Sequence, residues 1–189
     1  MPNKISATLA AAVLLVLAAN PSKAQDMAVS ANFGAAADYG TMSLETSLAV
    51  SKHWNLSAGV KYNPFSFSKD EQEGALRRRQ RSFSAGVRYW PWHVYSGWWM
   101  ASKLQFQEYN IAGTSGPGSS EGDRIGAALS AGYSYMISRW LNIELGLGFW
   151  GGYDIYRLYD CPTCGITVEK GKRFFLKMED IILALSIIF

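Results

Sequence analysis

The sequence predicts an all-β protein, an eight-stranded antiparallel up-and-down transmembrane β-barrel with a filled polar lumen. Three observations predict it. Apolar and polar residues alternate with period two through most of the chain, which places them on opposite faces of strands. The polar face is small and sparsely charged. Only 17% of the 189 residues are Asp, Glu, Lys or Arg, against a usual share of about 25%, while 49% are hydrophobic and 14% aromatic. Short and long connections also alternate, as a barrel with both chain ends on one side requires. The formal net charge of +3, without a Lys/Arg stripe, gives no basis for nucleic-acid binding.

Residues 1–24 read as a secretory signal peptide. Lys4 supplies a positive start, Ala7 to Ala19 an apolar run, and Ser22-Lys23-Ala24 a small-x-small cleavage site. The run is shorter than the about 20 residues a spanning helix needs. No Cys follows the cleavage point, which argues against a lipoprotein. The domain reading is therefore a signal peptide over 1–24 and one barrel over 25–189.

Eight strands follow, near 27–37, 41–50, 54–65, 77–90, 97–108, 124–136, 140–153 and 173–189. In the third, Trp54, Leu56, Ala58, Val60 and Tyr62 oppose Asn55, Ser57, Gly59 and Lys61. In the fourth, Phe83, Ala85, Val87 and Tyr89 oppose Ser82, Ser84, Gly86 and Arg88. In the seventh, Leu141, Ile143, Leu145, Leu147 and Phe149 oppose Asn142, Glu144, Gly146 and Gly148. The last strand loses phase going backward from Ile181, which predicts a bulge near Glu179-Asp180 or the edge of the membrane band there. A soluble sandwich or lipocalin-type barrel is the rival. It would carry its charges outside and its apolar residues inside, and there are too few charges here to wet such a surface.

The connections sort by end. Turns at Ser51-Lys52-His53, Ile137-Ser138-Arg139 and Pro91 to Ser96 lie at one end; loops 66–76, 109–123 and 154–172 lie at the other. The tight turn Asp38-Tyr39-Gly40 is the exception at the long-loop end. Trp54, Trp90, Trp92, Trp98, Trp99 and Trp140 all flank the short turns, which predicts an aromatic girdle at that end. Trp150, Tyr153 and Tyr156 are candidates for the opposite one. The polar face holds Glu45, Lys61, Arg88, Lys103 and Glu144. Eight strands leave an interior just wide enough for side chains, so these charges are expected to pair inside as a structural network, not to line a channel.

Chemistry-bearing motifs are few. Cys161-Pro162-Thr163-Cys164-Gly165 lies in the last long loop. In an exported protein Cys161 and Cys164 read first as a disulfide or paired structural thiols, with a shared metal and a redox dithiol as alternatives. The glycine-rich 113–120 lacks the Gly-Lys-Ser/Thr ending of a phosphate loop and reads as a surface loop. Arg77-Arg78-Arg79-Gln80-Arg81 is the basic cluster. It divides between two faces and is a candidate for lipopolysaccharide phosphates. Small barrels that modify lipid A need a His with a Ser and an acid near the outer leaflet. His53 and His93 fall in the short turns instead, which argues against an enzyme. The reading carries no catalytic residue, no metal and no cofactor.

The order of these motifs resembles an uncharacterised, domain-of-unknown-function family of small outer-membrane barrels common in Bacteroidota. The matching pieces are Lys52-His53-Trp54 leading to Tyr62-Asn63-Pro64-Phe65, then Arg88-Tyr89-Trp90 and Gly132-Tyr133-Ser134-Tyr135. Arg139-Trp140-Leu141-Asn142-Ile143-Glu144 and the specific Cys161-Pro162-Thr163-Cys164-Gly165 complete the set. The resemblance implies an outer-membrane barrel, often encoded near fimbrial or surface-assembly genes, with no catalytic residues to transfer. The expected function is a non-enzymatic structural or accessory subunit of an outer-membrane or surface-fibre assembly. Its partners would be outer-membrane lipid and another outer-membrane or fimbrial protein. A free-standing surface binder or adhesin is the next reading, and a lipid-modifying outer-membrane enzyme the third.

Overall fold

The computed structural model describes residues 27–67, 76–112, 118–160, 167–178 and 181–189. The expected signal peptide over 1–24, the glycine-rich stretch 113–117 and the pair Cys161 and Cys164 lie outside the described residues. Ten strands form one antiparallel sheet: β1 (Met27–Asn32), β2 (Met42–Ala49), β3 (Trp54–Asn63), β4 (Ser66–Phe67), β5 (Leu76–Tyr89), β6 (Gly97–Ala112), β7 (Ser119–Ser138), β8 (Leu141–Tyr159), β9 (Thr167–Met178) and β10 (Ile182–Ile188). They occupy eight positions around a closed barrel. The two-residue β4 continues the ladder of β3 on β5. The last position holds β9 and β10, which both pair with β8. β10 closes the ring on β1, from Ala28 opposite Ile188 to Asn32 opposite Ala184.

The expected irregularity at Glu179-Asp180 lies outside the described residues, and the registers on either side of it differ by one residue. Phe149 faces Met178 and Gly146 faces Ile182, so three steps along β8 match four along its partner. The outward residues accordingly switch from Phe174, Leu176 and Met178 to Ile181, Leu183 and Ile187. One extra residue in one strand of an antiparallel pair has that effect.

Several boundaries depart from the sequence reading. The first strand stops at Asn32, not 37, and a 3-10 turn covers Gly34–Ala37. The Asn32 side-chain oxygen stops it, accepting from the Gly34 and Leu183 N–H groups at 3.0 Å each. The third stops at Asn63, whose Oδ1 accepts from Phe65 N–H at 2.9 Å across Pro64. The turn near 138 lies slightly later, at Arg139 and Trp140. Most of the expected loops 109–123 and 154–172 are strand: β6 runs to Ala112, β7 starts at Ser119, β8 runs to Tyr159 and β9 starts at Thr167. The apolar face ends near Phe106, Ile125, Tyr153 and Phe174, and that is where the alternation stopped being legible. Backbone pairing does not depend on an apolar face and continues past it. The wall is therefore uneven, with 14 to 20 residues in each of β5 to β8 but 6 in β1 and 8 in β2.

The barrel has inverted polarity. Leu104, Leu129 and Leu176 point outward with 72%, 67% and 71% of their surface exposed. The inward positions of β6, β7 and β8 carry Ser130, Ser134, Asn142, Glu144, Lys103, Gln105 and Gln107, all buried. The apolar cluster within the barrel is small: Ala28, Trp90, Val94, Tyr95, Trp99, Ala101 and Ile188, gathered at the short-turn end. No described helix is long and apolar enough to cross a membrane, which says nothing of crossing by strands.

Candidate functional site: a stacked polar lumen

The interior is built in layers. The lowest is an aromatic floor. Trp90 directly follows β5, the turn 91–96 carries Val94 and Tyr95, and β6 brings Trp99. Tyr95 has φ +65° and Gly97 φ +78°. A Cβ on Gly97 would lie 2.4 Å from the Trp92 ring, so both its φ and its neighbour call for glycine. The turn is pinned to its neighbour by Val94 N–H to Lys52 O at 2.9 Å and Trp90 N–H to His53 O at 2.8 Å. Inside, Asn142 Nδ2 donates to Tyr95 O at 2.5 Å, and the Tyr95 hydroxyl lies 3.3 Å from Ser47 Oγ. Trp90 meets Tyr95 edge-on at 6.0 Å. Trp99 lies against Gly132 and Gly146, where a Cβ would approach its ring to 2.6 and 3.0 Å.

Above the floor sits the charge network. Arg88 donates through one terminal nitrogen to Glu144 and through the other to Glu45, each at 2.7 Å. Lys103 pairs with Glu45. The guanidinium of Arg88 lies 4.3 Å from the Trp99 ring centroid, so floor and charge layer are one unit. Ser186 donates to Glu144 at 2.9 Å and shares a 2.7 Å hydrogen bond with Ser30 across the closing seam. Four of the five expected lumen charges, Glu45, Arg88, Lys103 and Glu144, thus meet directly. Lys61 points inward higher on β3, opposite Ser82, and acts on Glu45 electrostatically. Pairing of this kind offsets the high cost of removing these charges from water.

A third layer was not anticipated. Asp154, 1% exposed, accepts from Tyr109 at 2.8 Å and from Arg173 at 2.9 and 3.0 Å, with Arg124 at 3.4 Å. Arg124 also stacks on Tyr109 at 3.8 Å. Beside it, Gln80 donates to Asp38 at 2.7 Å and to Thr41 at 2.9 Å, and Arg78 pairs with Asp38 at 2.6 Å. Asp154 and Tyr109 fell in the expected loops, while Arg124 and Arg173 stood at the first positions of the expected strands 124–136 and 173–189. Their parity was the available signal: Asp154 continues the inward set of Asn142, Glu144 and Trp150. Higher still, the Glu169 and Glu121 carboxylates accept from the Tyr156 and Tyr159 hydroxyls and push both phenols above their ordinary pKa.

The tryptophans divide between faces. Trp54, Trp92, Trp98 and Trp140 are exposed near the short turns, as a girdle requires. Trp90 and Trp99 do not belong to it, since both are buried in the floor beside Arg88. Trp150 is also inside, edge-on to Phe175 at 4.8 Å. Position relative to a turn cannot tell the two sides of a strand apart, whereas parity does. At the other end, Phe83, Phe106, Ile125, Tyr153 and Phe174 are successive outward neighbours across five strands and form an upper row. His53 and His93 turn their Nδ1 atoms to the Trp90 and Val94 carbonyls at 3.0 Å each.

The chain matches no curated protein. A family model described as a protein of unknown function, DUF3575, matches residues 9–189. Because that match spans nearly the whole sequence, the chain belongs to the uncharacterised DUF3575 family.

Proposed function

We propose that the protein is an integral outer-membrane β-barrel with a non-enzymatic role, a structural or accessory subunit of an outer-membrane or surface-fibre assembly. The observation that carries the membrane reading is the inverted polarity, bounded by the two aromatic rows. Along β7, the outward residues from Ile125 to Tyr135 cover about 33 Å of strand at about 3.3 Å per residue. At a tilt of about 40° that is about 25 Å of height, matching the apolar band of membrane barrels. A soluble protein exposing so much contiguous apolar surface would aggregate.

The lumen supports an anchoring role over transport. Each charge layer is closed by direct ion pairs, and the aromatic floor fills the short-turn mouth. Beyond the apolar band, β5 to β9 continue as one sheet, whose paired backbone is a rigid platform for another protein. Carbonate washing of native membranes should leave the protein in the pellet, and unboiled samples should migrate differently in SDS gels. Release by carbonate would overturn the membrane reading. Co-purification of a tagged copy in mild detergent should recover a stoichiometric outer-membrane or fimbrial protein. Recovery of a lone monomer would overturn the assembly role and favour a free-standing surface binder.

A further inference from the structure

The outward face changes from apolar to charged just above the row Phe83–Phe106–Ile125–Tyr153–Phe174, and the charge is unevenly distributed. Over β5 to β7 the signs largely cancel. Arg81 is ion-paired with Glu108, and Glu108 faces Asp123 across the next ladder. The run Arg77 to Arg81, the sequence's candidate for phosphate, is largely engaged: Arg78 turns inward to Asp38 at 2.6 Å, Arg81 is held by Glu108, and Arg79 also has a partner.

The β8–β9 sector differs. Going up its outward face, Tyr153 opposes Phe174, Ile155 opposes Lys172, and Arg157 opposes Lys170. The aromatic pair meets edge-on at 6.1 Å. Successive outward pairs lie about 7 Å apart along a strand, so three cations stand within two rungs of an exposed aromatic pair. Lys170 and Lys172 are both exposed. These residues line one side of an open cleft of about 490 Å³; Glu108, Glu121 and Asp123 line the other. Glu121 is already engaged by the Tyr159 hydroxyl and lies 4.0 Å from Arg157. The acidic side disfavours an extended polyanion and confines a negative group to the β8–β9 side.

We propose that the outward face of β8–β9 binds a phosphorylated lipid headgroup, with Arg157, Lys170 and Lys172 holding phosphate and the acyl chains lying over Tyr153, Phe174 and Leu176. The inference rests on the membrane reading, because it needs the apolar band to lie in lipid directly beneath the cations. Exposed lysines alone hold a free anion weakly in water. Placed at the headgroup level, above a surface that takes the chains, they select anionic lipid.

The test is native mass spectrometry of the detergent-solubilised full chain, titrated separately with bisphosphorylated lipid A, dephosphorylated lipid A and inorganic phosphate. The expected result is retention of the bisphosphorylated lipid alone. Retention should fall at least about tenfold in the double variant Lys170→Gln/Lys172→Gln and survive in Lys170→Arg/Lys172→Arg. Arg79→Gln should bind as the parent does. Equal retention of both lipids, full retention by the glutamine variant, or displacement by inorganic phosphate would each overturn the site. Carbonate washing of the same proteins separates the two readings. A chain that stays in the pellet but fails to select the phosphorylated lipid refutes this site alone; a chain that washes off refutes the membrane reading and the site with it.

Discussion

Arg88 joins the charge layer to the aromatic floor. It bridges Glu45 and Glu144 and lies on Trp99. Arg88→Leu would leave the buried Glu144 without its cation and Glu45 with Lys103, a loss of about 3–5 kcal/mol for a broken buried pair. The expected outcome is a barrel that loses its heat-modifiable band at lower temperature and still passes no current in planar bilayers, because the floor remains. A conductance in either the parent or the variant would contradict a lumen filled for structure. Gly97 tests the turn beneath it. Gly97→Ala forces a left-handed residue against the Trp92 ring and should cost about 1 kcal/mol or more, read as a lowered unfolding midpoint.

The strands β5 to β9 continue beyond the apolar band because inward polar contacts replace outward apolar ones. Asp154 is the centre of that continuation, holding Tyr109, Arg124 and Arg173 from three neighbouring strands. Asp154→Ala should loosen the upper wall without opening the band below it. Limited trypsin digestion should then cut at Arg157, Lys170, Lys172 or Arg173, while the remainder of the barrel keeps its heat-modifiable mobility. Uniform proteolysis of the whole chain would mean that the wall and the barrel are one cooperative unit. The low wall at β1 and β2 has a local cause: Asn32 takes the N–H groups of Gly34 and Leu183 and turns the chain away from further pairing.

The whole molecule is a polar core inside an apolar sleeve. Bilayer contact and lumen burial should therefore be separable by tryptophan. In vesicles of brominated phosphatidylcholine, replacing Trp54, Trp92, Trp98 and Trp140 by Phe should remove most of the lipid-dependent quenching. Replacing Trp90, Trp99 and Trp150 should leave the quenched component intact. Equal effects of the two sets would contradict the inside–outside assignment. Both sets flank turns or close the upper wall, so the contrast depends only on which way each ring points.

What the amino-acid order determined by itself was the architecture. Period-two alternation, sparse charge and alternating connection lengths specify eight antiparallel strands, and Glu45, Arg88, Lys103 and Glu144 fall on the polar face by parity alone. Parity is a local property and survives without a structure. Only the closed barrel decided which residues meet. The Arg88–Glu144 pair joins β5 to β8 across the interior and the Asp154 cluster joins β6 to β9, and their contacts follow from register and ring closure, which no local pattern encodes. Strand ends were also a tertiary decision. The alternation fades where the outer face turns from apolar to charged, yet pairing continues as long as a neighbouring strand supplies backbone partners. The position of the cations on β8–β9 belongs to the same class, since it is set by neighbours across the sheet.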